Sequence, residues 1–361
     1  MSARLALGWD LHRRFSQVSV VEQEAAGQFR VTERARLEHT DRDAMRSWLV
    51  QFPPGTPVAM EGAFGWPWVA DFLAELGLDP HLGHPPGLKV LAKNEAKSDR
   101  VDADRLARFW LRGTFPQCYL STPEVRQIRE RIRYRMALSQ IRAAVKCRIH
   151  AILHRQGICH GFSDLFGTQG RKFLATLALP AASRDVLESW LKLQDAIVQQ
   201  LAEVEAWMEK NLEVDPIVRI LQTIPGLGLT LAHVIRAEVG QLDERFTGRR
   251  RFTSYVGLAP MANDSADRHG RRHVSMACNH TLRWALVEAA TNALRSRRCP
   301  GKLRQLWQRL TLGGRARKAE ARVAVARELA ELVYVCWKKG EEYREPPSLR
   351  KLLRRRRRYS S

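Results

Sequence analysis

The chain has 361 residues, enough for two or three domains with cores of their own. It carries 60 Lys+Arg against 38 Asp+Glu, a net +22; residues 1–110 hold 14 basic and 15 acidic side chains, and the remaining 251 hold 46 and 23. A near-neutral front joined to a strongly basic remainder predicts one module for chemistry and others for holding a polyanion, while the lack of any run of about 18 apolar residues argues against a membrane span.

In chain order, residues 5–9 and 17–21 read as strands and 29–37 as a third. A helix is predicted over 42–50, behind the Thr40/Asp41 cap signal, followed by a short buried strand at 58–60. A second helix is expected at 66–76 and another strand near Pro80. Strands first, then strands alternating with helices, predict an α/β domain over 1–115.

Thr122-Pro123 starts a new helix with Pro at its first position. To about residue 155 it is amphipathic and basic, and Arg131, Arg135, Arg142 and Lys146 are its candidate nucleic-acid contacts. A further helix from about Ser183 places Leu187, Trp190, Gln194, Ile197, Leu201, Val204 and Met208 in the 3-4 spacing of a coiled-coil seam with one polar position. Residues 116–215 therefore read as a long antiparallel helical hairpin, serving either as an ordinary helical core or as an assembly arm with one side toward phosphates. The region 216–345 opens with Ile224-Pro-Gly-Leu-Gly228 and reads as mostly helical, with a polar, loop-rich insert at 260–273. Residues 346–361, including five consecutive arginines at 354–358, read as a solvated basic tail. The six cysteines show no Cys-x-x-Cys pair and no signal-peptide pattern opens the chain, so reduced thiols and a cytoplasmic location are expected.

Four carboxylates stand out in the first domain. Asp10 follows the first strand in Gly8-Trp-Asp10, and Glu61 follows the fourth in Met60-Glu61-Gly62. Both lie next to glycines, which allow close approach of a ligand. Lys97-Ser-Asp99-Arg-Val-Asp102-Ala-Asp104 then sets Asp99 and Asp102 on one helical face and turns Asp104 away. Were the fold to gather them, Asp10, Glu61, Asp99 and Asp102 would form an oxygen-only donor set suited to Mg²⁺ or Mn²⁺.

This order of motifs resembles the RuvC-like, ribonuclease-H-like domain of the DEDD transposases in the bacterial insertion-sequence family usually called "IS-one-ten". Gly8-Trp-Asp10-Leu-His, Met60-Glu61 and Lys97-Ser-Asp99-Arg-Val-Asp102-Ala carry the resemblance. It extends into the C-terminal half. Ile224-Pro-Gly226-Leu-Gly228 is similar to the family's helix-hairpin-helix-like opening, where backbone N–H groups at a glycine turn can face a phosphate. Arg251-Phe-Thr-Ser-Tyr-Val-Gly-Leu-Ala-Pro260, Asp264-Ser265 and Asn279-His-Thr-Leu-Arg283 resemble its transposase domain, and the resemblance makes Ser265 the nucleophile. Arg268, Arg271 and Arg272 lie just downstream, with Asn279 and Arg283 beyond, as phosphate contacts. Three positions depart from the family pattern: Ala266 and Cys278 stand where glycine is usual, and Met276 where lysine is common.

The expected architecture is thus α/β plus all-α: a RuvC-like domain (1–115), a helical hairpin or coiled coil (116–215), and a mostly helical transposase domain (216–345) ahead of the basic tail. The resemblance implies a Mg²⁺-dependent DNA transposase or recombinase working through a phosphoserine intermediate on donor and target DNA. It further implies guidance by an element-encoded bridge RNA, action as a homodimer or tetramer, and a bacterial, nucleoid-associated setting. Two other readings stay open: a metal-dependent junction endonuclease using water, and a non-catalytic nucleic-acid-binding protein.

Overall fold

The computed structural model describes residues 4–24, 27–92, 99–261, 264–265, 268–269, 273–274, 277–297, 299–312 and 317–345. At 99–100, 261, 264–265, 268–269 and 273 it describes the main chain alone. The chain divides into two compact units, Met1–Pro123 and Glu124–Ser361.

The first unit is built on β1 (Arg4–Leu11), β2 (Phe15–Gln23), β3 (Phe29–Glu38), α1 (Arg42–Leu49), β4 (Pro57–Glu61), α2 (Trp66–Glu75), β5 (Asp79–Gly83), α3 (Pro85–Leu91), α4 (Asp99–Leu111) and β6 (Gln117–Cys118). The strands form one sheet in the order β3-β2-β1-β4-β5-β6. β1, β2 and β3 run antiparallel, β1, β4 and β5 run parallel, and β6 returns antiparallel to β5. A three-stranded meander feeding parallel strands, with helices against both faces, is consistent with a ribonuclease-H-like fold. Leu7, Trp9, Val18, Val58 and Met60 pack on one face with Met45 and Leu49 of α1 and Val69 and Leu73 of α2. On the opposite face, Ala6 and Val21 meet Ala107 and Leu111 of α4, while Ala59 meets Leu106 and Phe109. The Asp41 carboxylate caps α1, accepting from the Ala44 N–H at 2.9 Å, as the cap signal predicts. β3 lies at the sheet edge and bears Arg30, Glu33, Arg34 and Arg36, charges that discourage edge-to-edge pairing.

The second unit begins with α5 (Pro123–Arg155), α6 (Thr168–Thr176) and α7 (Ala181–Val214). Tyr134 and Arg135, in the first half of α5, bond Gln200 (3.0 Å) and Glu205 (2.5 Å) in the later part of α7, while Gln156, just past the end of α5, bonds Ser183 near the start of α7, which makes the two helices antiparallel. Leu187, Gln194, Ile197 and Leu201 of the predicted seam are buried against Leu138, Val145, Ile149 and Ile152 of α5. Thus the seam closes within one chain, the helical-core alternative. α8 (Pro216–Gln222), α9 (Leu229–Val239), α10 (Leu242–Arg245) and α11 (Arg249–Val256) follow. Four two-residue strands, β7 (Pro260–Met261), β8 (Asp264–Ser265), β9 (Arg268–His269) and β10 (His273–Val274), occupy the insert that the sequence presents as loop. α12 (His280–Arg295), α13 (Gly301–Thr311) and α14 (Lys318–Lys339) complete the unit, with Val325, Leu329 and Val333 packed among Leu221, Ile235, Phe252, Leu286 and Ala289.

Candidate catalytic site and nucleic-acid interface

β1 and β4 are in register through Gly8↔Ala59 and Trp9↔Met60, so one step further sets Asp10 beside Glu61 at adjoining strand ends. Trp9 and Met60 point into the core on one face, and the pleat turns Asp10 and Glu61 to the other, the face that α4 covers. α4 lies very close there: a Cβ added to Gly8 would stand 1.8 Å from the Ala103 carbonyl oxygen and 2.9 Å from the Ala107 nitrogen. Ala107 and Leu111 reach back to Ala6, so α4 runs opposite to β1 and begins at the end of the sheet where Asp10 and Glu61 stand. The sequence reading that Gly8 admits a ligand is corrected here, because the missing side chain admits the helix backbone instead.

Asp99 is the first residue of α4, with its side chain outside the described residues; Asp102 lies on the next turn. Asp102 accepts from Arg105 at 2.9 Å, and one Asp10 oxygen lies 3.0 Å from His12 Nε2. Among the described residues no three Asp, Glu, His or Cys side chains stand close enough to enclose an ion. Main-chain placement therefore gathers the acids at one end of the sheet, while a closed cage is not formed by the described side chains. The donor chemistry fits a hard divalent cation, since Asp10 and Glu61 offer only oxygen. Asp104 points elsewhere, as its helical position predicts, and its buried carboxylate accepts two bonds, of 3.1 and 2.7 Å, from the exposed Arg34.

In the C-terminal region Ser265 ends β8 and pairs with Arg268 of β9, next to Asp264↔His269. The side chains of Ser265 and Arg268, and Ala266, Arg271, Arg272 and Met276 entirely, lie outside the described residues, as does the tail after residue 345. Gly257 ends α11 with φ +74°, and a Cβ there would sit 2.2 Å from the Arg283 guanidinium and 2.6 Å from Cys278 Cβ. That turn thus sets Arg283 and Cys278 against α11. Gly226 has φ +92° and would drive a Cβ to 2.1 Å from the Ala289 carbonyl oxygen, so its backbone conformation and the packing of α12 together account for this glycine. Gly228 has open space around it and is the residue before α9, which leaves the N–H groups of that first turn as the available anion donors.

Asn279 caps α12, its side chain accepting from Leu282 N–H at 2.9 Å and donating to Glu238 (2.9 Å) and to the Tyr255 hydroxyl (3.1 Å). Glu238, missed at the sequence level, is 3 % exposed and receives two further bonds from Arg133, at 3.0 and 3.2 Å. Burial opposes its ionisation, but the bonds from Arg133 and Asn279 and the charges of Arg133 and Arg129 outweigh that and hold the carboxyl below its usual range. Arg129 donates to the Ala237 carbonyl, and burial lowers its own pKa. Among the predicted α5 contacts, Arg131 lies over the Trp207 ring, Lys146 over Phe166, and Arg135 bonds Glu205. Arg142 is half-exposed and pairs with no acidic side chain among the described residues. It is the most available of the four for a phosphate.

The six-stranded sheet is consistent with a ribonuclease-H-like fold, and Asp10 and Glu61 stand at adjoining ends of its strands. Comparison with known families is specific: a DEDD transposase model of the IS110 type matches residues 7–157, and the model described as the Transposase IS116/IS110/IS902 family matches 218–308. The chain belongs to this transposase family. It is 27% identical over 332 residues to a putative transposase of Sinorhizobium fredii, covering 84% of this chain and 81% of the relative. It is 24% identical over 344 residues to a probable family 20 transposase of Pseudomonas aeruginosa, covering 94% and 98%. A transposase for insertion sequence element IS1111A from Coxiella burnetii is 24% identical over 290 residues, covering 77% and 76%. No helix among the described residues is long and apolar enough to cross a membrane.

Proposed function

We propose that this transposase cuts and rejoins DNA through a covalent phosphoserine on Ser265, with Asp10, Glu61, Asp99 and Asp102 as the ligands of Mg²⁺ or Mn²⁺. The observation that carries the proposal is the tight seating of α4 on Gly8, which brings the helix start bearing Asp99 to the strand ends bearing Asp10 and Glu61. The cation, when bound, supplies Lewis-acid activation and neutralises charge on the scissile phosphate. Ser265 Oγ attacks phosphorus, the bond to the leaving deoxyribose oxygen breaks, and the ester keeps the bond energy for rejoining to another strand. Arg268, Arg271, Arg272 and Arg283 hold backbone phosphates around the reacting one, and Arg142 and the first turn of α9 extend that grip. Glu238, through Asn279 and Arg133, is a positioning residue: it fixes the segment that returns from the serine-bearing strands into α12.

The domains would divide the work as 1–115 for metal chemistry, 116–215 for assembly and nucleic-acid binding, and 216–345 for the nucleophile. Similarity to the family supports a dimer or tetramer in which Ser265 of one subunit works with the acids of another, and guidance by a structured bridge RNA. The charge of +23 beyond residue 110 supports a large polyanion as partner.

The test is to trap protein–DNA adducts with element-end DNA, element RNA and Mg²⁺, and to map them by mass spectrometry. The expected adduct is on Ser265, lost in both Ser265→Ala and Asp10→Asn. Cleavage that survives Ser265→Ala but not Asp10→Asn would replace the serine mechanism with direct hydrolysis. Salt-sensitive binding with neither cleavage nor adduct would leave a binding protein only.

A further inference from the structure

α12, α13 and α14 enclose a cleft of about 440 Å³, within the usual size of small-molecule sites. Its walls include Arg295, Arg304, Arg322, Trp307, Gln308 and Thr311, and no acidic residue. Arg295 and Arg322 pair with no acidic side chain among the described residues, and Arg304 uses one guanidinium nitrogen on the Ser296 carbonyl at 3.0 Å. Three cations sharing one concave surface repel one another, so the arrangement favours an anion that joins them. An inorganic anion would leave the rest of the wall unused. The Trp307 indole packs partly on the core and lines the cleft with no aromatic or cationic group stacked on it among the described residues, leaving a planar partner room to stack. Gln308 beside it can both donate and accept. The Thr311 hydroxyl is already donating to the Trp307 carbonyl at 2.8 Å, so phosphate recognition falls to the guanidiniums.

We propose that this cleft holds one unpaired nucleotide of a nucleic-acid strand, its base on Trp307 and its phosphate between Arg295 and Arg322. The inference rests on the reading that the protein works on nucleic acid, and adds a site outside the acids and the serine segment. A base-paired nucleotide has both faces covered by its neighbours in the stack, so a ring offered to one base selects a single strand, a loop or an extruded nucleotide. RNA and DNA share this chemistry.

The experiment measures binding of the full-length protein to labelled oligonucleotides of equal length: single-stranded DNA, single-stranded RNA and duplex DNA. Trp307→Leu is expected to weaken single-strand binding about fivefold or more, whereas Trp307→Phe retains most of it. The double variant Arg295→Gln/Arg322→Gln is expected to flatten the salt dependence for single strands by roughly 0.7 per arginine in the log–log slope. Duplex binding stays within about twofold for all variants, and photocrosslinks on the wild-type protein map to the peptide containing Trp307. Whichever single strand responds identifies the source. Equal weakening for duplex and single strand, unchanged binding in variants that melt like wild type, or crosslinks found only elsewhere would each overturn the site while leaving the nucleic-acid reading intact. A wild-type protein that binds none of the three would overturn that reading itself.

Discussion

Replacing Gly8 by alanine tests the geometry on which the metal proposal stands. The new methyl would be placed 1.8 Å from the Ala103 carbonyl oxygen, where ordinary contact begins at 3.4 Å, so α4 has to withdraw by about 1.6 Å. Backbone on both sides leaves no flexible side chain to absorb the clash. Overpacking of this kind costs about 1–3 kcal/mol, which for a unit of this size lowers the melting temperature by roughly 5–12 °C. The same withdrawal moves Asp99 and Asp102 away from Asp10 and Glu61, and a displacement of about 1 Å at a reacting centre costs on the order of a hundredfold in rate. Gly8→Ala is therefore expected to melt lower and, at a temperature where it is fully folded, to form the Ser265 adduct about a hundredfold more slowly. Wild-type melting with wild-type adduct formation would refute the close seating of α4. Low melting with full activity in the folded state would refute the role given to its acids.

Three further outcomes follow from residues described above. Gly226→Ala should lower stability by about 2 kcal/mol or more, because both its positive φ and the Ala289 carbonyl oppose a side chain, whereas Gly228→Ala should cost under about 1 kcal/mol; paired thermal melts decide. Glu238→Gln should lose about 1–2 kcal/mol at neutral pH, since the carboxylate is buried and well bonded while Arg133 is 60% exposed and water screens the charge left behind. Since the folded carboxyl lies below its unfolded value, its stabilisation is present above the unfolded pKa and is lost as pH falls through the folded one; the gap between wild type and variant should close on acidification below about pH 4, and a constant gap would refute it. Gln194→Leu should raise stability by about 1–2 kcal/mol, because Gln194 is 3 % exposed and its Oε1 has no hydrogen-bond partner among the described residues; a lower denaturant midpoint would count against this.

Much of the architecture is legible one residue at a time. Short apolar runs mark β1 and β2, the Asp41 cap starts α1, and the seven seam positions of α7 lie buried or half-buried at the predicted spacing. α6 escaped because its nine residues give too few turns for a periodic pattern, and the β7–β10 strands because two residues cannot show alternation. The acids were legible as a motif, but the reason they share one end of the sheet was not. That reason is the fit of Ala103 and Ala107 over Gly8, nearly a hundred residues away, and such a contact leaves no local trace. Asn279 reads from sequence as a phosphate ligand, yet it caps α12 and binds Glu238, and Arg133 reaches the same carboxylate from 105 residues away. Polar residues in a basic protein invite a nucleic-acid reading, and only the fold tells which of them are already engaged.

Closing the seam of α7 against α5 inside a single molecule separates maturation from association. Leu187, Ile197 and Leu201 find their partners on the same polypeptide, so the hairpin's melting should not depend on protein concentration, unlike an obligate dimer, whose subunits gain their stability only by meeting. Any association is then left to surfaces still open once folding is finished, where Tyr134, Ile141 and Leu193 are each exposed. Whatever the protein meets next, it meets with the core of this hairpin already complete.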